Sequence, residues 1–408
     1  MSFSTNLSNE EKTGDDVSFS NRTTLIKPSP IRVMRELSEK MQNVIHLEQG
    51  EPDFKTPTHI LDAAKAAMDE GATHYTVIPG LLELREAIAH KLSDENDIDA
   101  DPTQEIVLTT GTQEAMLVAA MGFLDAGDEA LILEPFYPSY FEDTLLVGGV
   151  PIPVPLNEKT GYRIEEEAVE RRITGRTKMI WLCSPSNPTG HVYSREDLEI
   201  VSEVAQKHNL IVFADEIYEK LVYDDARHIS IGSLPGMQDR TITVNGFSKA
   251  YAMTGWRIGY FAAEKKISAV LSRIHHFATL CANVISQRAA LAALTGPQDC
   301  VREMAAEYDR RRRTIIDGLN RIDGVSYVEP KGAFYVFPKF QNIDLSDEAL
   351  AVYVLKEGRV VTVPGIGFGK TGEHHLRISY SAPNEDVEEA MRRIAQALKV
   401  RNDSSIKR

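Results

Sequence analysis

A chain of 408 residues is too long for one simple core, so a large unit accompanied by a smaller one is the natural expectation. Its 42% hydrophobic, 26% charged and 7% aromatic residues exclude a disordered or fibrous chain. A net charge of −15, with Lys and Arg concentrated nowhere, argues against a nucleic-acid surface and points to a small-molecule ligand.

Residues 1–20 are rich in Ser, Asn, Thr, Asp and Glu and read as a flexible arm. They lack the basic start and apolar core of a secretory signal, and no stretch of the chain is apolar for long enough to span a bilayer. With only Cys183, Cys281 and Cys300, read as buried thiols, no disulfide framework is expected, and the default location is the cytoplasm.

Five apolar runs then read as buried strands: EIVLTT (105–110), EALILEP (129–135), KMIWLCSP (178–185), LIVFADE (210–216) and RTITVNG (240–246). Helical periodicity follows Thr112 and covers Arg195–His208, with a weaker signal before Thr241. The βαβ rhythm predicts an α/β fold, a mostly parallel central sheet covered by helices. After about residue 315 the spacing changes to two-residue alternation in GVSYVEP and GAFYVFP, followed by helices over Ser346–Glu357 and Glu385–Val400. The division expected is a large unit over 57–315, a smaller α+β unit over 316–400, a segment 21–56 packed with the smaller unit, and a flexible tail 401–408.

In such a sheet ligands sit beyond the carboxyl ends of the strands, and the residues there form a coherent set. Asn187 follows the third run, Asp215 ends the fourth with Tyr218 three residues on, and Lys249 follows the fifth. An amine that forms an imine, a carboxylate to pair with a ring nitrogen, and an amide and a phenol to bind a ring oxygen suit a pyridine aldehyde cofactor. Gly111, Thr112 and Gln113 lie where a strand turns into a helix N-terminus, a natural phosphate site, to which Arg257 adds charge and Ser248 a hydroxyl. In EPFYPSY (134–140), Tyr137 is the choice for a ring stacked on the pyridine, with Phe136 as the alternative.

Each feature alone has a blander reading. A lone lysine is usually solvated, Asp215 could be a helix N-cap, Asn187 before Pro188 could make a turn, and the tyrosines could be core residues. Their joint order favours the site. His74, His228, His374 and His375 are scattered without ligand spacing, so neither metal nor catalytic histidine is expected.

From about residue 22 to 398 the chain resembles the class I, fold-type I aminotransferases that use pyridoxal 5′-phosphate. The resemblance is carried by KPSP (27–30), GEPDFKTP (50–57), HYTVIPGLLELREAI (74–88), SPSNPTG (184–190), ADEIYE (214–219), NGFSKAYAMTGWRIGY (245–260), KGAFYVFP (331–338), VPGIGFG (363–369) and LRISYS (376–381), in that order. It implies transfer of an amino group from an aromatic, neutral or aspartate donor to a 2-oxo acid, 2-oxoglutarate first, by ping-pong. It further implies that Arg377 grips the substrate carboxylate, helped by the Gly50 backbone and Asn187, and that Tyr75 reaches the phosphate of a neighbouring subunit, hence a homodimer with shared sites. One departure is Gly246, where many relatives have Ser. The rival reactions are a C–S β-lyase on the same scaffold and a DNA-binding regulator, the latter disfavoured because no helix-turn-helix precedes the scaffold.

Overall fold

The computed structural model describes residues 19–341 and 343–406. The expected arm therefore lies outside the described residues except at its end, as do the last two residues of the tail. The closing helix Asn384–Ile406 runs further than the expected 385–400.

A seven-stranded sheet organises the chain, with strands in the order Ile106–Thr109, Gly259–Ala262, Thr241–Gly246, Ile211–Asp215, Thr177–Cys183, Glu129–Glu134 and Val150–Pro155. The last five are mutually parallel, whereas Gly259–Ala262 runs antiparallel to both its neighbours. All five expected strands are present, each bounded within two residues of its apolar run. Period-two side-chain alternation lets each strand feed two cores. Ala130, Ile132, Met179, Trp181, Phe213 and Val244 pack beneath the helices Thr112–Phe123 and Lys265–Thr279. From the opposite face Leu131, Leu133, Ile180, Leu182 and Val212 meet Leu198, Val201 and Val204 of the helix Arg195–Lys207. Each such buried aliphatic side chain contributes roughly 1.5–3 kcal/mol relative to exposure. A reciprocal cap starts that helix: Ser194 Oγ accepts from Asp197 N at 3.2 Å, and the Asp197 carboxylate accepts from Ser194 N at 3.0 Å.

Two strands go beyond the five that the apolar runs mark. Val150–Pro155 reads VPIPVP, and three prolines hide its strand character from a propensity argument. It is the edge strand: Val150 N donates to Asp128 O and Leu156 N to Glu134 O, so the alternate positions occupied by proline face away from the sheet. Gly259–Ala262 is too short and too glycine-led to stand out. The weak helix before Thr241 is only the single turn Ile231–Ser233, and the helix expected over 346–357 is Asp347–Tyr353 followed by a π turn, Val354–Gly358.

The second packing centre gathers short strands. Tyr335–Val336 and Val363–Pro364 flank Leu376–Ser379 in antiparallel pairs, and Ile45–His46 lies parallel to Val360–Val361. Leu47, Tyr308, Phe334, Val360, Ile378 and Ile394 fill the core between them. Arg311 pins the N-terminal segment by pairing with Asp53 at 2.8 Å. The three cysteines are free but partly exposed, a correction to their reading as buried: each sits at a strand or helix boundary, where packing is incomplete.

Candidate active site

Parallel register brings the tips of three strands to one side of the sheet: Cys183 lies beside Asp215, and Asp215 beside Val244. Asp215 is 3% exposed; its Oδ2 accepts from the Tyr140 hydroxyl at 2.7 Å and its Oδ1 from the backbone N–H of Ile217 at 3.2 Å. Burial pushes its carboxyl up to about 6, against the pull of those hydrogen bonds and of the Lys249 charge.

The strand Thr241–Gly246 leads into the turn that carries Lys249. The Lys249 ammonium donates to the carbonyl oxygen of Gly50 and lies 5.9 Å from the ring centre of Tyr218 and 5.8 Å from that of Phe334. Desolvation pushes its pKa down to about 8; the charges of Glu51 and Asp215 work against that, and those of Arg257 and Arg377 add to it. A fraction of this amine is thus neutral at physiological pH, which an unperturbed lysine would not provide.

Arg377, on the strand Leu376–Ser379, is 1% exposed. One of its amino groups donates to Asn187 Oδ1 at 3.1 Å and the other to the Glu48 carbonyl. Its guanidinium carbon lies over the ring of Tyr335, at 4.6 Å, and over that of Phe368, at 5.0 Å, while its buried Nε has no hydrogen-bond partner among the described residues. Burial lowers its pKa. With Asn187 Oδ1 engaged, what that amide still offers is its pair of N–H donors.

On the other side of Lys249, Gly111 has φ 75° and caps the helix Thr112–Phe123. A Cβ there would stand 2.6 Å from Arg257 Nη2, so the guanidinium closes over the turn. Arg257 itself is in a left-handed conformation and donates to Thr254 O at 2.8 Å. Ser248 sits partly buried in the same turn as Lys249. The Gln113 side chain faces away, donating to Asp143 at 3.1 Å and accepting from Ser139 at 2.9 Å, so only its backbone N–H can serve the turn.

Tyr137 begins the helix Pro138–Leu146, close enough to Asp215 and Arg377 for both charges to act on its hydroxyl. The alternative, Phe136, instead stacks on Phe141 at 5.7 Å within the core. Tyr75 is not brought into this group: its ring is 83% exposed.

A family model described as aminotransferase class I and II matches residues 42–394. The chain is 44% identical to an aspartate aminotransferase of Pyrococcus abyssi, over 94% of this chain and 99% of that protein. It is 42% identical to an aromatic-amino-acid aminotransferase of Thermococcus litoralis, with the same coverage. Among solved structures, the aromatic aminotransferase from Pyrococcus horikoshii superposes with a TM-score of 0.86 at 45% identity, covering 91% of this chain and 99% of that one. The aspartate aminotransferase from Thermus thermophilus gives 0.88 at 37% identity, covering 94% and 100%. The chain belongs to the class I and II aminotransferases.

Like its family, this aminotransferase depends on pyridoxal phosphate and has the fold-type I architecture. The residues present fit that group. An amine of lowered pKa has a buried carboxylate and a guanidinium near enough for their charges to act on it, and that guanidinium closes over a glycine turn: the donor set that an aldehyde, a ring nitrogen and a phosphate require.

The structure also explains the departure at Gly246 in this aminotransferase. Gly246 pairs with Gly259, and a Cβ at 246 would lie 3.1 Å from Gly259 Cα and from Ile258 O. Sequence reasoning missed two residues. Tyr140 was passed over for Tyr137, although it lies one helical turn on and contacts Asp215. Tyr335, in the alternating run KGAFYVFP, bonds the Tyr218 hydroxyl at 2.8 Å and packs on Gly50 and Arg377. Behind Asp215, Glu216, Glu219 and His228 form a buried cluster already engaged by Lys91, Asn96 and Ser230, so it reads as internal charge pairing.

Proposed function

We propose that this aminotransferase takes the amino group from an aromatic, neutral or aspartate donor and passes it to a 2-oxo acid, 2-oxoglutarate first, by a ping-pong sequence. The observation that carries the residue assignments is the shared enclosure of Lys249 and Asp215 on adjacent strand tips, close enough for each charge to act on the other. When bound, pyridoxal phosphate supplies an aldehyde to capture the amino group and an electron-poor ring to stabilise negative charge at the substrate Cα. Lys249 Nζ removes the Cα proton, a task suited to an amine whose pKa is about 8. Asp215 keeps a proton on the ring nitrogen, with Tyr140 and Ile217 N–H fixing the carboxylate's orientation. Asn187 and Tyr218 would hold the ring oxygen, Tyr137 would stack on the ring, and Gly111, Thr112, Gln113 N–H, Ser248 and Arg257 would bind the phosphate. Arg377 binds the substrate α-carboxylate, aided by Asn187 and the Gly50 backbone.

A homodimer with Tyr75 completing the partner's phosphate site belongs to the same proposal. It is supported by the exposure of Tyr75 and Val77, at 83% and 62%, beside a helix that also exposes Phe277 at 88%. We place 57–315 as the cofactor unit and 316–400 as the smaller one, with 21–56 joined to the latter through the Ile45–His46 pairing. A cytoplasmic location accords with three free cysteines and with the finding that no described helix is long and apolar enough to cross a membrane.

The test is a donor screen of the cofactor-loaded protein with 2-oxoglutarate, comparing Phe, Tyr, Asp, Ala and N-acetylated diaminopimelate. Glutamate formation with Phe, Tyr or Asp is expected. Ammonia and pyruvate released from a cysteine conjugate without any 2-oxo acid, in place of glutamate formation, would overturn transfer in favour of β-elimination.

A further inference from the structure

Among the described residues no hydrogen bond joins the loop Gly365–Gly372 to Lys249 or Asp215, yet the loop supplies a ring that packs on Arg377. It is fastened at both ends by buried carboxylates from different parts of the fold. Asp347, 5% exposed at the start of the helix Asp347–Tyr353, accepts the Ile366 N–H at 2.6 Å. Glu134, 3% exposed at the tip of the sheet strand Glu129–Glu134, accepts the backbone N–H of Thr371 at 3.3 Å. Between these fastenings Phe136 N donates to Phe368 O at 3.0 Å. Gly369 has φ 111°, and a Cβ on it would lie 2.1 Å from Glu134 Oε1, so carboxylate and loop meet with no room for a side chain. Phe368 is fully buried, with one neighbour in Phe337 at 5.8 Å and its face toward the Arg377 guanidinium.

Burying two carboxylates is costly; burial raises the pKa of both, and backbone donors of one short loop offset that in part. An apolar anchor would fill the same space without fixing the loop's register, whereas two carboxylates accepting from Ile366 N and Thr371 N hold the loop at both ends. The side chain that this placement brings against a charged group of the site is Phe368.

We propose that Glu134 and Asp347 are positioning residues for substrate recognition: by clamping the loop 365–372 they hold Phe368 against Arg377 and so fix the plane of its fork. This rests on the assignment of Arg377 to the substrate carboxylate. Glu134→Gln keeps the shape but offers one acceptor oxygen and places an N–H pair against a backbone donor. The expected result is an apparent KM raised about tenfold for both amino acid and 2-oxo acid, with kcat within about twofold. Affinity for pyridoxal phosphate is unchanged. Spectral titration with a 2-methyl amino acid, which has the carboxylate but no Cα proton to lose, should show the same weakening without turnover.

Phe368→Leu removes the ring while leaving both carboxylates, and should reproduce the KM change. Combined with Glu134→Gln it should add little, because both act through one contact. If Glu134→Gln does not fold, Asp347→Asn and Phe368→Leu carry the same comparison. Multiplicative effects in the double variant, or a loss of cofactor affinity equal to the loss of substrate affinity, would overturn the clamp. Arg377→Ala separates the two layers of the argument. If it raises KM strongly while Glu134→Gln does nothing, the clamp alone falls; if it too leaves KM unchanged, the carboxylate assignment falls and the clamp with it.

Discussion

The two halves of the site are built differently. Asp215 ends a five-residue strand and Lys249 follows a six-residue one, and both strands lie inside the seven-stranded sheet with a neighbour on each side. Arg377 comes from a four-residue strand flanked by two-residue partners, and its orientation depends on stacked rings and a carboxylate-fastened loop. On the roles proposed above, the chemistry falls to residues held by the sheet and the carboxylate recognition to a residue held by local packing. Variants should therefore divide cleanly, those of the first half acting on cofactor and turnover and those of the second on substrate affinity.

The largest break expected is Lys249→Ala, which should lower turnover at least ~1,000-fold and abolish the visible imine absorption. Circular dichroism should show the fold retained; normal transamination by this variant would refute the role given to the amine. Arg377→Ala comes next, with KM raised about 30-fold, equivalent to ~2 kcal/mol for a charge-assisted contact, and with an undisturbed cofactor spectrum. A shifted spectrum would mean that the two halves are less separate than their construction suggests.

The smallest effect concerns Tyr140. Burial pushes the Asp215 carboxyl up to about 6, and the Tyr140 hydrogen bond holds it below where burial alone would put it. Only the ionised form pairs with a protonated ring nitrogen, so affinity for pyridoxal phosphate should fall as pH drops through about 6. Tyr140→Phe removes a stabiliser of the anion, raises that pKa and should move the midpoint up by roughly half to one unit. Binding titrations from pH 5 to 8 on both proteins would detect it, and a midpoint that stayed put would remove Tyr140 from the account.

The first half was the more legible in the sequence. A strand end followed by a polar residue is a local pattern, and three of them in order made Asn187, Asp215 and Lys249 conspicuous. Arg377 carried no comparable signal, because short antiparallel strands leave little periodicity, and only resemblance singled it out. Tyr140 and Tyr335 escaped because what distinguishes them is a partner 75 or 117 residues away in the chain. For Gln113 the position at the glycine turn was readable, whereas the engagement of its side chain by Ser139 and Asp143 is announced by no local pattern.

The prolines of Val150–Pro155 do more than conceal a strand. On the margin of a large sheet a row of outward N–H groups invites another polypeptide to add itself as an eighth strand, the usual first step toward ordered aggregates. Pyrrolidine rings at 151, 153 and 155 leave that margin without donors on its outer side, so it cannot act as a template for foreign chains.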